Sequence, residues 1–341
     1  MSPKKLIIPA LILAVLVAAG VVKSVGSVRR ERAEKARVSG PAIVLNRDLA
    51  AAFVTRITLS RGGDADQKVV LRKDEATGQW VVESRYGVRA KSGQIDPLLK
   101  DLTAIQGEPV ADEKEVLGDY KLTDDLAFRI RLEGAQAQTL SDLFLSPLRP
   151  GGTRNFVRSA DSNTVVSTNT DILGTLGIFT DKDKIKPDDF VDHRMIVMDT
   201  THLLRVELAT EKSGPIALVK TPKTGDKPEV WRLGEGDSAP ELDTGKVTND
   251  FLYVVNNFYA GAVLDSAGAD HGFGEKPWVR FQLSSGQRPD HWELYVGKRL
   301  KDKQAYPVKV MPGGVVYELA DRHLEPQLKK DKDTFLKAKT A

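Results

Sequence analysis

Residues 78–83 read GQWVVE and residues 229–233 read EVWRL, so that Trp80 and Trp231 lie 151 positions apart. Each tryptophan follows two short segments in which apolar and polar residues alternate. That alternation is typical of β-strands with one buried face. The two segments therefore indicate an internal repeat.

Further matches occur in the same order along both halves. They keep a spacing of 150 or 151 residues: Tyr120-Lys121-Leu122 with His271-Gly272-Phe273, Arg129–Leu132 with Arg280–Leu283, Val165-Val166 with Val315-Val316, and Asp171 with Asp321. Chance does not produce a colinear series of this kind. We interpret the body of the chain as a duplication.

Each half has the same predicted order of strands, one helix and further strands. The helices carry apolar residues at 95, 98, 99, 102 and 105, and at 247, 251, 252, 254, 255 and 258, which gives each helix one apolar stripe. A sheet with a helix across one face is an α+β arrangement. The predicted fold class is α+β, with two duplicated units, each an antiparallel sheet with one main helix, after an N-terminal transmembrane helix.

The predicted boundaries follow from the repeat and from the charge pattern. They are residues 1–23 for a membrane anchor with a short N-terminal tail, 24–52 for a charged stalk, 53–200 for the first unit with its connector, 201–328 for the second unit, and 329–341 for a charged tail.

The composition narrows the classes of function. Of 341 residues, 41% are hydrophobic and 28% charged, which is enough to bury a core. The 50 basic and 47 acidic side chains leave a net charge of +3, a balance that argues against nucleic-acid binding. The chain has no cysteine, which excludes disulfides, iron–sulfur sites and thiol catalysis.

The N-terminal segment Leu6–Val22 reads LIIPALILAVLVAAGVV and carries no charge. A helix of this length covers about 25 Å, close to the bilayer hydrocarbon thickness of about 30 Å. Lys5 and Lys23 can extend to the headgroups, and the basic residues up to Arg37 suit anionic membrane lipid. A cleaved signal peptide, the alternative, has a shorter apolar core. We therefore expect an uncleaved anchor.

We predict no catalytic, cofactor-binding or metal-binding residues. The sequence lacks the P-loop, the HExxH pattern, the nucleophile elbow and a complete dinucleotide-binding motif. Residues 181–186 begin like a calcium loop but have Ile185 and Lys186 where oxygen and glycine are needed. The Asp-His pairs at 192/193, 270/271 and 290/291 are expected to be structural, because neighbours in a strand point to opposite faces.

Aromatic residues are concentrated in the second half. Trp278, Trp292 and Tyr295 form the candidate interaction surface, for a protein or for a stacked sugar. Packing in the core is the alternative interpretation, since tryptophan is usually well buried.

Five segments together resemble the bacterial DUF4340 family, over about residues 54–328. They are Ile57-Thr58-Leu59, Gly78-Gln79-Trp80, the Ile95–Ile105 helix, Tyr120–Asp125 and the sequence DDFVDHR at Asp188–Arg194. Many members have Gly-Leu-x-x-Pro at the turn where this chain has Lys121–Asp125.

The resemblance implies a single-pass protein of the inner (cytoplasmic) membrane whose large domain is extracytoplasmic. Proteins of this kind often accompany gliding-motility-type ABC-2 transporters. As partners, the resemblance implies an ABC-2 permease and a GldG-like auxiliary subunit, in addition to membrane lipid. It implies no cofactor. Counting the six basic residues from Lys23 to Arg37 favours the opposite orientation, and we follow the resemblance.

We therefore expect a non-enzymatic, membrane-anchored accessory subunit of an envelope complex. Two alternatives stay open: an envelope glycan-binding module that uses the aromatic residues of the second unit, and an exported hydrolase with dispersed carboxylates.

The apolar segment Leu6–Val22 predicts how the protein fractionates. The full chain should pellet with membranes and stay there through alkaline carbonate, because a spanning helix is not released by removing surface charge. Immunoblotting of the pellet and the supernatant measures this. Release of the chain with an intact N-terminus would contradict the anchor.

Overall fold

The computed structural model describes residues 40–338, except 76, 150–151, 153, 169, 210–214, 227, 268–269 and 288. It contains two antiparallel sheets and few helices. The predicted anchor, Leu6–Val22, lies outside the described residues. Among the helices within those ranges, none combines the length and the apolar character needed to cross a bilayer.

The strands are numbered in chain order. They are β1 (Ile43–Val44), β2 (Arg56–Arg61), β3 (Lys68–Lys73), β4 (Trp80–Val82), β5 (Val88–Arg89), β6 (Gln106–Ala111), β7 (Phe128–Glu133), β8 (Thr139–Leu145), β9 (Asn155–Ser159), β10 (Val165–Thr168), β11 (Leu203–Leu208), β12 (Ile216–Thr221), β13 (Val230–Leu233), β14 (Ala262–Leu264), β15 (Val279–Leu283), β16 (His291–Val296), β17 (Ala305–Met311) and β18 (Val315–Ala320). The helices are α1 (Ser92–Thr103), α2 (Ile172–Thr175), α3 (Thr244–Val247), α4 (Tyr253–Asn256) and α5 (Asp321–Leu328), and a π turn at Thr248–Leu252 joins α3 to α4.

The chain divides into two compact units. The first contains the chain up to Lys73 and the segment Lys91–Phe190, and the second contains Asp74–Ala90 and the chain from Val191 onward. The β4–β5 hairpin thus precedes most of the first unit in sequence but belongs to the second. This division differs from the predicted single boundary at residue 200.

The strands of the first unit lie in the order β1-β6-β10-β9-β8-β7-β2-β3. Those of the second lie in the order β14-β18-β17-β16-β15-β11-β12-β13. When β6 is matched with β14, β7–β10 with β15–β18, and β2–β3 with β11–β12, the two orders are the same. The repeat in the sequence therefore has a counterpart in the strand order.

Alternation along the strands builds the core of the first unit. On β7, Phe128, Ile130 and Leu132 are buried while the residues between them are half-buried. Helix α1 buries the predicted stripe, including Ile95 and Leu98. Each side chain of this size stabilises the fold by roughly 1.5–3 kcal/mol when it is fully buried.

The first unit also includes residues that the sequence assigns to the stalk. Ile43 pairs with Gly107 of β6, and the Asn46 side chain donates to the carbonyl oxygen of Leu102 at 2.8 Å. The segment from 43 to 46 is thus part of the sheet and its helix packing.

The second unit is built around a helical region that the sequence predicts as one helix. The Asp243 side chain caps its start by accepting from the N–H groups of Gly245 and Lys246 at 2.9 and 3.2 Å. Val247, Phe251 and Val255 are fully buried. The π turn adds a residue to one turn but keeps the apolar stripe facing the core.

The predicted charged tail contributes to this core. Phe335 is fully buried, and its ring packs edge-on against Phe251 with centroids 5.6 Å apart. The backbone then continues the contact, since Leu336 bridges to Leu242. Because residues 329–333 are charged, the sequence pattern gives no sign that Phe335 and Leu336 pack in the core.

Substitution of Gly107 tests how closely β6 packs against β10. A Cβ at this position would overlap the backbone carbonyl oxygen of Ser167, which the ladder holds in place. Gly107→Ala should therefore lower the free energy of unfolding by about 1–3 kcal/mol. Denaturant unfolding of the full chain in mild detergent measures the change.

The matched control is Gly274→Ala, where a Cβ would meet no atom within 4 Å. We expect a change within about 0.5 kcal/mol for it. Equal effects of the two substitutions would contradict the close approach at Gly107.

Candidate functional site

The three predicted aromatic residues do not share one face of the second sheet. Trp292 stands opposite the fully buried Phe281, so it points to the core side of the sheet. Tyr295 points to the other side, which we call the outer face, and stands opposite Lys309. Trp278 precedes β15, and all three are half-buried. The surface predicted from these three residues stays a prediction, and its members lie on two sides of the sheet.

Hydrogen bonds and cation–π contacts link several side chains around Tyr295 on the outer face. Glu293 accepts from Arg280 Nε at 2.7 Å and from the Tyr295 hydroxyl at 2.8 Å. The Lys309 ammonium lies 4.7 Å from the centroid of the Tyr295 ring and 5.1 Å from that of Phe273. Burial alone raises the pKa of the Glu293 carboxyl, but the bonds from Arg280 and Tyr295 outweigh it and the pKa lies below its ordinary value. Glu293 is therefore a charged acceptor at neutral pH and no proton donor.

The first sheet has the same arrangement 151 residues earlier. Asp142 accepts from Arg129 Nε and Nη2 at 2.8 and 2.6 Å. The Arg158 guanidinium lies 4.1 Å from the centroid of the Phe144 ring and donates to the carbonyl oxygen of Leu122 at 2.8 Å. Arg129, Asp142, Phe144 and Arg158 thus correspond to Arg280, Glu293, Tyr295 and Lys309. In both units these residues hold the turn that carries the repeated motif, at Leu122 and at Phe273.

The DDFVDHR segment also has a structural task, which centres on Asp192. Its Oδ2 lies 3.1 Å from Arg89 Nε and 3.2 Å from Arg194 Nη2, and its Oδ1 accepts from the Arg194 N–H at 3.0 Å. Arg89 also donates to the Arg194 carbonyl oxygen at 2.6 Å, and Val191 bridges to Ala90. We call Arg89, Asp192 and Arg194 the clasp. It holds the β4–β5 hairpin in the second unit.

The surroundings of the clasp set two pKa values. Burial alone raises the pKa of the Asp192 carboxyl, but bonds from Arg194 and the charge of Arg89 outweigh it, and the pKa lies below the ordinary value. Burial raises the pKa of the nearby Tyr317 phenol to about 12. Both groups therefore keep one protonation state at neutral pH, which suits a structural network.

One Asp-His pair differs from the expectation. His291 Nδ1 and Asp290 Oδ1 lie 2.7 Å apart, because Asp290 precedes β16 and is free to turn toward its neighbour. Both side chains are exposed. His271 instead contacts the Asp265 carbonyl oxygen with Nε2, at 2.8 Å. Adjacency in the sequence therefore gives a bonded pair at Asp290-His291, and the structural interpretation of the three pairs stays a prediction.

The carboxylates of Asp181 and Asp183, in the segment at 181–186, both have partners within the protein. Asp183 accepts from the N–H groups of Phe179 and Thr180 at 2.7 and 2.8 Å, which lowers its pKa. Asp181 lies 3.2 Å from Lys121 Nζ. Across the described ranges of the chain, no three His, Cys, Asp or Glu side chains come together in a way that would hold a metal ion.

Exposed aromatic side chains lie on the second unit, where the segment at 193–198 pairs with the segment at 256–260. Met195 donates its N–H to the Phe258 carbonyl oxygen at 3.0 Å, and Arg194 bridges to Tyr259. Tyr259 is 61% exposed, and Tyr253, one helical turn before Asn257, is 67% exposed. We call Tyr253 and Tyr259 the tyrosine edge. Side chains of this type are enriched in protein interfaces.

In the sequence these two tyrosines belong to the aromatic residues of the second half, but they are not among the three predicted surface residues. The signal is present in the helical pattern, because Phe251, Leu252 and Val255 form the buried stripe and Tyr253 falls off it. Tyr259 follows the buried Phe258 in an extended segment, so that it points away from the core.

Comparison with known proteins identifies the family. The model of the domain of unknown function DUF4340 matches residues 80–270, which is more than half of the chain. No curated protein and no solved structure matches the chain. The match includes the three clasp residues, the turn at Tyr120–Asp125 and the tyrosine edge. The chain belongs to the DUF4340 family.

Proposed function

We propose that the protein is a non-enzymatic, membrane-anchored accessory subunit of an envelope complex, and that it binds its partners through the tyrosine edge. The observation that carries the proposal is that Tyr253 and Tyr259 are 67% and 61% exposed on either side of residues 256–258, which pair with the segment at 193–198. Tyrosine has two rotatable side-chain bonds, so it loses little conformational entropy for the area that a partner covers.

The electrostatics of the described residues support a binding role. Glu293 and Asp192 are each held charged by arginine, and both carboxylate oxygens of each are bonded. A general acid needs the opposite, a carboxyl whose pKa is raised toward neutrality.

The proposed partners are an ABC-2 permease of the gliding-motility type, its GldG-like auxiliary subunit and membrane lipid. The proposed location is the inner (cytoplasmic) membrane, with Leu6–Val22 as a single span and the two units outside the cytoplasm. The apolar segment and the family resemblance support this arrangement, and the basic residues after Lys23 argue for the reverse one.

Co-purification tests the interface. The full chain is co-expressed with the permease and the auxiliary subunit, and the complex is purified in mild detergent. Tyr253→Ala combined with Tyr259→Ala should weaken the complex by about 2 kcal/mol or more, because two interface aromatics lose their contacts. Quantitative mass spectrometry of the eluted subunits measures the loss.

The matched control removes two equally exposed aromatics of the first unit, Phe53 and Phe179, which are 68% and 64% exposed. Phe53→Ala with Phe179→Ala should leave the complex intact. A complex that survives loss of both tyrosines, or a wild-type chain that retains neither subunit, would contradict the proposal.

Protease accessibility tests the orientation. The proposed topology places both units on the outer side of the membrane, so protease added to spheroplasts should digest them. Immunoblotting with an antibody against the second unit gives the readout, and a cytoplasmic marker that stays intact is the control. Protection of the units until the membrane is broken would overturn the outward orientation.

A further inference from the structure

The outer face of the first sheet contains a cleft of about 650 Å³. We call it the basic cleft. Six of the residues that line it are basic or carry a hydroxyl group: Arg56, Thr58, Ser60, Lys68, Arg129 and Arg131. They come from β2, β3 and β7, three adjacent strands of the sheet.

The strand register places hydroxyl groups between cations. Ser60 stands opposite Arg129 on one side and Lys68 on the other. Thr58 stands opposite Arg131 in the next row. The floor of the cleft is therefore formed by two short hydroxyl side chains, and longer basic side chains flank it.

Cations outnumber carboxylates along the cleft. Four basic side chains line it, against the carboxylates of Asp64 and Glu133. Asp64 accepts from the Asp66 N–H at 3.0 Å and from Gln67 Nε2 at 2.9 Å, so its oxygens serve the β2–β3 loop. Glu133 pairs with two of the basic side chains, with Oε1 3.1 Å from Arg131 Nε and Oε2 3.7 Å from Arg56 Nε. Basic side chains still outnumber carboxylates in the lining of the cleft.

Carboxylates hold two of the arginines in place without using all their donors. Arg129 gives Nε and Nη2 to Asp142, while Arg131 Nε lies 3.1 Å from Glu133 Oε1 and its Nη2 donates to the Thr139 hydroxyl at 2.7 Å. A guanidinium has five N–H donors, and both of these side chains are 40% exposed. Each arginine therefore keeps N–H groups for a ligand, in a geometry fixed in advance.

We propose that the basic cleft binds a phosphate group, with Arg129 and Arg131 donating to its oxygens above the hydroxyls of Ser60 and Thr58. Guanidinium forks match phosphate geometry, and hydroxyl donors add hydrogen bonds at the floor. The phosphate comes from a lipid headgroup or from a free phosphate or phosphate ester. This inference goes beyond the proposed accessory role and does not depend on it.

The second unit supplies an internal comparison. Its corresponding cleft, of about 400 Å³, is lined by the basic side chains of Arg205, Lys276 and Arg280 and by the carboxylate of Glu207. Glu207 stands opposite Arg280, where Ser60 stands opposite Arg129. A carboxylate thus occupies the position of the floor hydroxyl, and it repels an anion. We assign the phosphate site to the first unit alone.

Titration calorimetry of the full chain in neutral detergent tests the site. One arm uses inorganic phosphate and pyrophosphate, and the other uses micelles doped with phosphatidylglycerol. Arg131→Gln introduces the residue type that stands opposite Arg205 in the second unit, Gln282. It should weaken binding on the order of tenfold, and so should Lys68→Gln, since each removes a charged donor. Added salt should weaken binding of the wild-type chain.

Arg205→Gln is the matched control and should bind like the wild type. Because Lys68 is exposed, Lys68→Gln should keep the wild-type thermal transition, which separates loss of the site from loss of the fold. A response to soluble phosphate supports a free phosphate ligand, and a response to doped micelles alone supports a lipid headgroup.

Three results would overturn the proposal. They are no binding in either arm, equal weakening by Arg205→Gln and Arg131→Gln, and binding of polyglutamate in place of phosphate. The last would identify the cleft as a site for acidic peptides.

Discussion

The ionised carboxylate of Asp192 joins separate segments of the second unit. It binds Arg89 in the β4–β5 hairpin and Arg194 in its own strand-like segment, with partners 3.0–3.2 Å away. Both Asp192 and Arg89 have side chains that are more than four-fifths buried. Removing one partner of such a pair leaves an uncompensated charge, which costs about 3–5 kcal/mol. The interaction links the hairpin to the segment that bridges to Tyr259 at Arg194.

The outer faces of the two sheets share one set of side-chain contacts and differ in the charge of the residues around it. The carboxylate–arginine pair and the aromatic–cation contact recur in both units at a spacing of 151 residues, from Arg129 and Asp142 to Arg280 and Glu293. The turn at Tyr120–Asp125 and the segment Asp188–Arg194 therefore both have structural contacts, through Arg158 and through Arg89. Around this common frame, the first face has Ser60 beside its arginine and the second has Glu207. A single position of this kind changes the electrostatics of a whole cleft.

Local patterns predicted the parts of the fold in which one face is buried. The strands β7–β10 and β15–β18 and the buried stripe of α1 follow from periodicity alone. The family match bears out the suspected membership. The π turn after α3 was not predictable, because one extra residue in a helix leaves the apolar stripe almost unchanged.

Long-range pairing could not be predicted in the same way. Asp74–Ala90 belongs to the second unit through contacts such as that of Arg89 with Asp192, more than 100 residues away, and no local signal marks that pair. Phe335 is a single aromatic residue within a charged segment, where composition favours a solvated tail. The candidate site was missed for a related reason. Trp292 and Tyr295 lie on opposite sides of the sheet and are both half-buried, so that the face of a strand alone does not tell how exposed an aromatic side chain is.

A double-mutant cycle on the clasp tests whether Asp192 and Arg89 hold the β4–β5 hairpin together with the segment at Arg194. Asp192→Asn and Arg89→Gln are made singly and together, and the free energy of unfolding of the full chain is measured in mild detergent. We predict a coupling of about 1–3 kcal/mol at neutral pH, as for contacting charged residues. The folded-state pKa of Asp192 is lowered, so its contribution is present above the unfolded-state value near 3.8 and is lost as the pH falls through the folded-state pKa. Additive effects at neutral pH, within about 0.5 kcal/mol, would show that the clasp does not hold the hairpin in the second unit.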